Sequence, residues 1–292
     1  MKEVKYGIEF SKPTVTLLQE TGIGTAELAA RTCYDSYDQS ENDAIRIAAE
    51  ELKAGTVNNL ELFAMNSISN SELLDKLAWT HFHHSILEHA SLTYLIQGTS
   101  RGVLQEHARH RIQSISVRST RYTMQNILNR YIATIEGYNN LERLVIFTEY
   151  IKELDMFVVN NDFIMLEIKQ LFDKLELHRK QLGDEEFLKL ALSNDAFTAY
   201  STKTSYYHID VLTLLDSAKN KRNVGDAFKW VVTDNWKVDM VVTMNIRALK
   251  NYLTLRDSGA AYFQMRWLAQ AIKSVTPNRY LSLIDTECRN KD

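Results

Sequence analysis

The densest chemistry in this chain lies between residues 109 and 122, Arg-His-Arg-Ile-Gln-Ser-Ile-Ser-Val-Arg-Ser-Thr-Arg-Tyr. Arg109, His110, Arg111, Arg118 and Arg121 alternate there with the hydroxyls of Ser114, Ser116, Ser119 and Thr120. A guanidinium fork binds phosphate oxygens in bidentate fashion, and serine hydroxyls supply further donors. A solvated basic helix end or a nucleic-acid patch would use the same residues. The chain as a whole carries a formal charge of -3, however, and no long basic stripe surrounds the cluster. A compact site for a phosphorylated small molecule is the better reading.

Other groups could join it. Six of the eight histidines fall between His81 and His110, which raises the question of a metal. No carboxylate pair or cysteine set completes a ligand arrangement, so no metal is expected. The two cysteines, Cys33 and Cys288, lie far from the cluster in sequence and read as small buried or terminal residues. Ser119 has no adjacent His-Asp pair to activate it, which makes it a hydrogen-bond donor and not a covalent nucleophile. Tyr206 and Tyr207, beside His208, could wall a ligand or simply fill a core. No GxGxxG or other glycine-rich phosphate loop occurs, so a nucleotide would need a different cradle.

The elements that must hold these residues can be read in part. Thr14–Leu18 is expected to be a strand, and Thr25 to cap a helix starting at Ala26. Helical spacing recurs over Glu41–Leu52 and Ser71–Trp79, and Leu92–Gln97 reads as a strand. A helix from about Arg101 to His110 would place Arg101, Gln105 and Arg109 in one row and Glu106 and His110 in the next. Residues 147–175 look amphipathic and helical. Near the C-terminus Val238, Val241, Val242, Asn245, Leu249 and Tyr252 recur at helical spacing, which puts an amide on an apolar stripe. An unpartnered buried amide costs about 1–3 kcal/mol, so Asn245 requires a partner, either structural or a ligand. Arg247 and Asn251 lie four apart on the neighbouring row.

At 292 residues the chain can bury one large core or two modest ones. Its 45% hydrophobic and 24% charged content is ordinary for a soluble protein. No signal-like or membrane-spanning run is present, and a cytoplasmic protein is expected.

The pattern Arg109-His110-Arg111, seven residues, Ser119-x-Arg121-Tyr122 resembles the signature of the flavin-dependent thymidylate synthases. His83-x-Ser85-x-x-Glu88-His89 is similar to that family's flavin-touching segment. Asn245-x-Arg247-x-x-x-Asn251-x-x-x-x-Arg256 resembles its second signature. The likeness covers about the first 125 residues and 230–266. It implies an α+β fold of mixed helices and an antiparallel-type sheet, one catalytic domain over 1–292 with a divergent helical middle at about 127–228. By resemblance Ser85, Arg109, His110, Arg111, Asn245, Arg247 and Asn251 would hold FAD. Arg101, Glu106, Ser119, Arg121, Lys229 and Arg256 would hold dUMP, with Arg256 and Ser119 closest to the chemistry. NADPH and methylenetetrahydrofolate are the implied cosubstrates, dTMP the product, and a homotetramer with shared sites the assembly. No membrane or nucleic-acid partner is implied. Val117, Glu106, Lys229 and Tyr262 depart from the family's usual Glu or Gln, Gln, Arg and Gln. Those departures keep two alternatives open: an enzyme modifying another deoxypyrimidine monophosphate, and a non-catalytic nucleotide- or RNA-binding protein.

Overall fold

A computed structural model describes residues 2–5, 8–57, 70–123, 126, 157–158, 226, 234 and 236–289. The chain divides into two compact units, residues 1–11 with 118–237 and residues 12–117 with 238–292. In the first unit β1 (Lys2–Lys5) pairs antiparallel with β2 (Ile8–Ser11). Strand β2 in turn pairs antiparallel with a two-residue strand inside 147–175, so that stretch is not helical throughout.

The second unit is built on a four-stranded sheet. Strand β3 (Thr14–Glu20) leads into α1 (Gly24–Tyr34), followed by α2 (Asp43–Ile47), α3 (Ala49–Ala54) and α4 (Glu72–Trp79). A 3-10 helix, His84–His89, precedes β4 (Ser91–Ser100), α5 (Arg101–His107) and β5 (Ser114–Val117). The strand Phe157–Val158 of the first unit is β6, and β7 (Lys237–Asn245) returns to the sheet. Helices α6 (Ile246–Arg256), α7 (Phe263–Val275) and α8 (Asn278–Leu281) close the chain. The sheet order is β3-β4-β7-β5.

One face of that sheet makes the core. Leu92, Tyr94 and Ile96 alternate inward on β4, as do Val238, Met240, Val242 and Met244 on β7. Helix α7 covers β3 and β4 with Met265, Leu268, Ala269 and Ile272, all fully buried. Burial of each large aliphatic side chain contributes about 1.5–3 kcal/mol, enough to fix the sheet's register. Two polar pairs lie on this core: the Tyr94 hydroxyl meets Thr276 Oγ1 at 2.8 Å, and Ser100 Oγ donates to Gln264 Oε1 at 2.6 Å.

Three local expectations change. Residues 238–245 form a strand, because the same apolar residues also satisfy a two-residue period and pairing with β5 decides the matter. Thr25 does not cap α1; Ile23 is the capping residue, and Thr25 Oγ1 donates back to the Thr21 carbonyl. The helical run 41–52 breaks into two pieces after Ile47. Backbone geometry matters at two positions. Gly98, at φ +70, bends the end of β4 and donates its N–H to Asp239 Oδ1 at 2.8 Å. Phe82 adopts φ +54 without being glycine, a conformation that costs a side-chain-bearing residue about 1–2 kcal/mol.

Candidate functional site

The turn after α5 carries the first signature. Ser100 caps α5, its Oγ accepting from Val103 N–H at 3.2 Å, which starts the helix at Arg101. The helix ends at His107, three residues earlier than expected, and tightens: Arg109 N–H bonds the Glu106 carbonyl and His110 N–H the His107 carbonyl. That tightening keeps Glu106 and His110 on one side. Both meet Arg256, the last residue of α6. Arg256 Nη1 donates to Glu106 Oε2 at 3.0 Å, and Nε donates to His110 Nε2 at 3.0 Å. The guanidinium is one-fifth exposed, so it is partly shielded yet accessible. Among the described residues Nη2 has no hydrogen-bond partner.

This arrangement dictates the state of His110. Its Nε2 accepts a hydrogen bond from the Arg256 Nε–H, so the ring is neutral and carries its hydrogen on Nδ1. Burial, then the positive charges of Arg256 and Arg109, hold its pKa below the ordinary imidazole value. Tyr252, one turn earlier on α6, sets its ring edge-on to His110 at 4.8 Å and to His107 at 5.1 Å. Glu106 supplies the compensating negative charge.

The other end of α6 carries the rest of the second signature. Asn245 is not on a buried helical stripe. It is the capping residue of α6, its Oδ1 accepting from Ala248 N–H at 2.8 Å, and that is the partner its amide requires. Asn245→Ala is expected to lower stability by about 1 kcal/mol, read from the urea midpoint, while Asn245→Asp should nearly preserve it. Arg247 pairs with Glu88 of the 3-10 helix, and Lys250 Nζ lies 3.1 Å from His84 Nε2. Asn251 is exposed one turn on from Arg247, and Ser85 is exposed on the same 3-10 helix as Glu88. His83 Nδ1 meets the Tyr34 hydroxyl at 3.0 Å.

Thus the second unit joins Glu106 and His110 to Arg256, and it carries Ser85, Arg101, Arg109, Arg111, Asn245, Arg247 and Asn251. Among the described residues no carboxylate pairs with the exposed guanidinium groups of Arg109 and Arg111. Ser119 and Arg121 belong to the first unit, where Arg121 is held by both oxygens of Asp226. Lys229 lies outside the described residues. The Glu88–Arg247 and His84–Lys250 contacts span 159 and 166 residues and left no trace in local spacing. Val117 and Tyr262 stand on β5 and immediately before α7. Among the described residues no helix is long and apolar enough to cross a membrane.

Comparison with known proteins gives a consistent result. A family model described as thymidylate synthase complementing protein matches residues 16–278. A flavin-dependent thymidylate synthase of Wolinella succinogenes is 26% identical over 276 residues, 94% of this chain and 99% of that protein. One from Helicobacter pylori is 27% identical over 265 residues, 91% of this chain and 94% of its own length. A solved structure of the Helicobacter pylori enzyme, complexed with FAD and dUMP, superposes with a TM-score of 0.53 at 26% identity. It covers 94% of this chain and 99% of that one. The matched span runs through 127–228, where the motifs alone show little likeness. This chain therefore belongs to the thymidylate synthase complementing protein family, that of the flavin-dependent thymidylate synthases.

Proposed function

We propose that this chain converts dUMP to dTMP with FAD as its bound cofactor. NADPH would serve as reductant and methylenetetrahydrofolate as one-carbon donor. The observation that carries the reading is Arg256, whose guanidinium is fixed by Glu106 and His110 with Nη2 uncommitted. Carbon 5 of uracil becomes nucleophilic only as negative charge develops on the ring. A pre-oriented guanidinium directed at a ring oxygen stabilises that charge without reorganising during the reaction.

The donor set fits both groups. Arg109 and Arg111, exposed and lacking a carboxylate among the described residues, suit the diphosphate of FAD. Ser85 and Asn251 supply neutral donors and acceptors, and Arg247 a further cation. Asn245 enters chiefly by starting α6. Arg101, Ser119, Arg121 and Lys229 are assigned to dUMP. FAD, when bound, supplies the hydride that arginine and serine cannot deliver. The chain's own residues bind, orient and balance charge around it. Family membership further supports a cytoplasmic homotetramer with sites shared between subunits.

The test is an absorbance spectrum of the protein with FAD, followed by product analysis with dUMP or dCMP, with and without NADPH. The expected result is a flavin spectrum perturbed by dUMP, and dTMP formed only with NADPH and methylenetetrahydrofolate. Product from dCMP alone would redirect the reading to another pyrimidine. Failure to bind FAD would end it.

A further inference from the structure

We propose that Asp257 is a positioning residue: tied to Gln270 and Lys273 of α7, it fixes the end of α6 from which the Arg256 guanidinium reaches the nucleotide. The inference rests on the proposed function for the identity of that nucleotide. Glu106 and His110 hold the tip of the Arg256 side chain. Neither fixes its backbone, and a long flexible stem joins the two. A second restraint is needed at the root.

Asp257 supplies it. The residue terminates α6, its N–H bonding the Leu253 carbonyl at 2.8 Å. The position is a poor one for an acid, because the helix dipole places partial negative charge at that end. Glycine or asparagine would close the helix more favourably. What the carboxylate gains there lies on the next helix. Its Oδ1 accepts from Gln270 Nε2 at 3.2 Å, and its Oδ2 lies 3.6 Å from Lys273 Nζ. Gln270 and Lys273 are three apart, so they share one side of α7. That helix is a rigid reference, since Met265, Leu268, Ala269 and Ile272 anchor it in the core.

The lysine is itself held in place. Its ammonium also meets Asp285 at 2.5 Å and Glu287 at 3.3 Å. Burial opposes its charge, but hydrogen bonds to Asp285 and Glu287 and the charge of Asp257 raise its pKa above the ordinary lysine value. Lys273 therefore stays charged near neutral pH. The side chains of Asp257, Lys273 and Asp285 are only 20%, 22% and 15% exposed, so solvent screens these pairs less than at an open surface. The tether thus runs from the core through α7 to the residue that follows Arg256.

The test is a double-mutant cycle on dTMP formation by full-length FAD-loaded protein, combining Asp257→Ala with Arg256→Lys. Alone, Asp257→Ala is expected to lower kcat about fivefold to twentyfold, with KM for dUMP within about twofold of wild type. Its Tm should stay close to wild type, because alanine removes the unfavourable charge at the helix end along with the tether. In the Arg256→Lys background the same change should cost less than about twofold, since no oriented guanidinium is left to misplace. Gln270→Ala cuts one tether from an exposed side chain and should lower kcat about twofold to threefold. It keeps the proposal testable if Asp257→Ala does not fold. Unchanged kcat in Asp257→Ala, or in Gln270→Ala where that is the folded variant, overturns the positioning role. So does an equal loss in both backgrounds, which would mean that Asp257 acts apart from Arg256. Absence of dTMP formation by wild type would instead strike the functional reading, leaving the two failures distinguishable.

Discussion

Arg256→Lys is expected to lower kcat/KM for dUMP by about 10²–10³-fold, the usual loss when a pre-organised donor to developing charge is removed. Arginine occupies its place by using two edges at once, Nη1 toward Glu106 and Nε toward His110, each at 3.0 Å. Only then is Nη2 held still for the substrate proposed to meet it. A lysine ammonium is one point charge on a flexible stem, so it can satisfy Glu106 or reach the substrate but cannot do both in a fixed geometry. Positive charge is conserved by this substitution, so a large loss isolates orientation from charge. The measurement is initial rate of dTMP formation against dUMP concentration, with the flavin spectrum recorded to show that cofactor is retained. A variant within about threefold of wild type would mean that Arg256 serves the structure and not the reaction.

The difference between what could be read from the sequence and what could not has a physical basis. Glu106 and His110 are four apart, and their shared side is a consequence of helical pitch that survives even where the helix gives way to a tighter turn. Their common partner Arg256 is 150 and 146 residues away respectively, and no local period encodes such a distance. Resemblance to the family implies that the two signatures belong together; only folding shows that the joint is an arginine between a carboxylate and an imidazole. Asn245 illustrates the opposite case. Its need for a partner follows from desolvation and is met by a structural hydrogen bond, but at a helix cap and not on a helical stripe, because valine and methionine satisfy strand and helix periods alike. Strand β7 is settled by its neighbours in the sheet, a tertiary fact. Phe82 left no signal, since nothing about an exposed phenylalanine reveals that its backbone is left-handed.

The charges around Arg256 also explain why the carboxylate at position 106 is tolerable. Burial, then the positive charges of Arg256 and Arg109, depress the pKa of His110, and Glu106 is an anion within hydrogen-bonding reach of Arg256. An amide there would hold Arg256 by one hydrogen bond without offsetting its charge. The departure from the family's usual glutamine thus changes the electrostatics around Arg256 while keeping a hydrogen-bond acceptor for its guanidinium.

His107 provides the second large effect, on stability. Its imidazole is fully buried against Tyr252, and among the described residues neither ring nitrogen meets a hydrogen-bond partner. Burial, then the charge of His110 once acid protonates it and that of Arg256, brings its pKa down to about 4. Unfolded chains protonate histidine near 6.5, so between about pH 6.5 and pH 4 the unfolded state binds a proton that the folded state refuses. Stability is therefore complete above 6.5 and falls with acid by about 1.4 kcal/mol per pH unit through that window, reaching about 3 kcal/mol near pH 4. Depression of the His110 pKa acts in the same direction over the part of the window nearest neutrality. His107→Leu removes the titration and the two unpartnered ring nitrogens, with slightly imperfect packing in their place. It is expected to be within about 1 kcal/mol of wild type at pH 7.5 and about 2 kcal/mol more stable than wild type at pH 5. Urea midpoints at the two pH values check this, and parallel pH profiles for the two proteins would show that His107 is solvated after all. Because His107 abuts the ring that steadies His110, the same acid limb should appear as loss of the Arg256 geometry before global unfolding. It can be followed by tyrosine fluorescence from Tyr252 only if the other thirteen tyrosines are silent in that range, so amide exchange along α6 is the better probe.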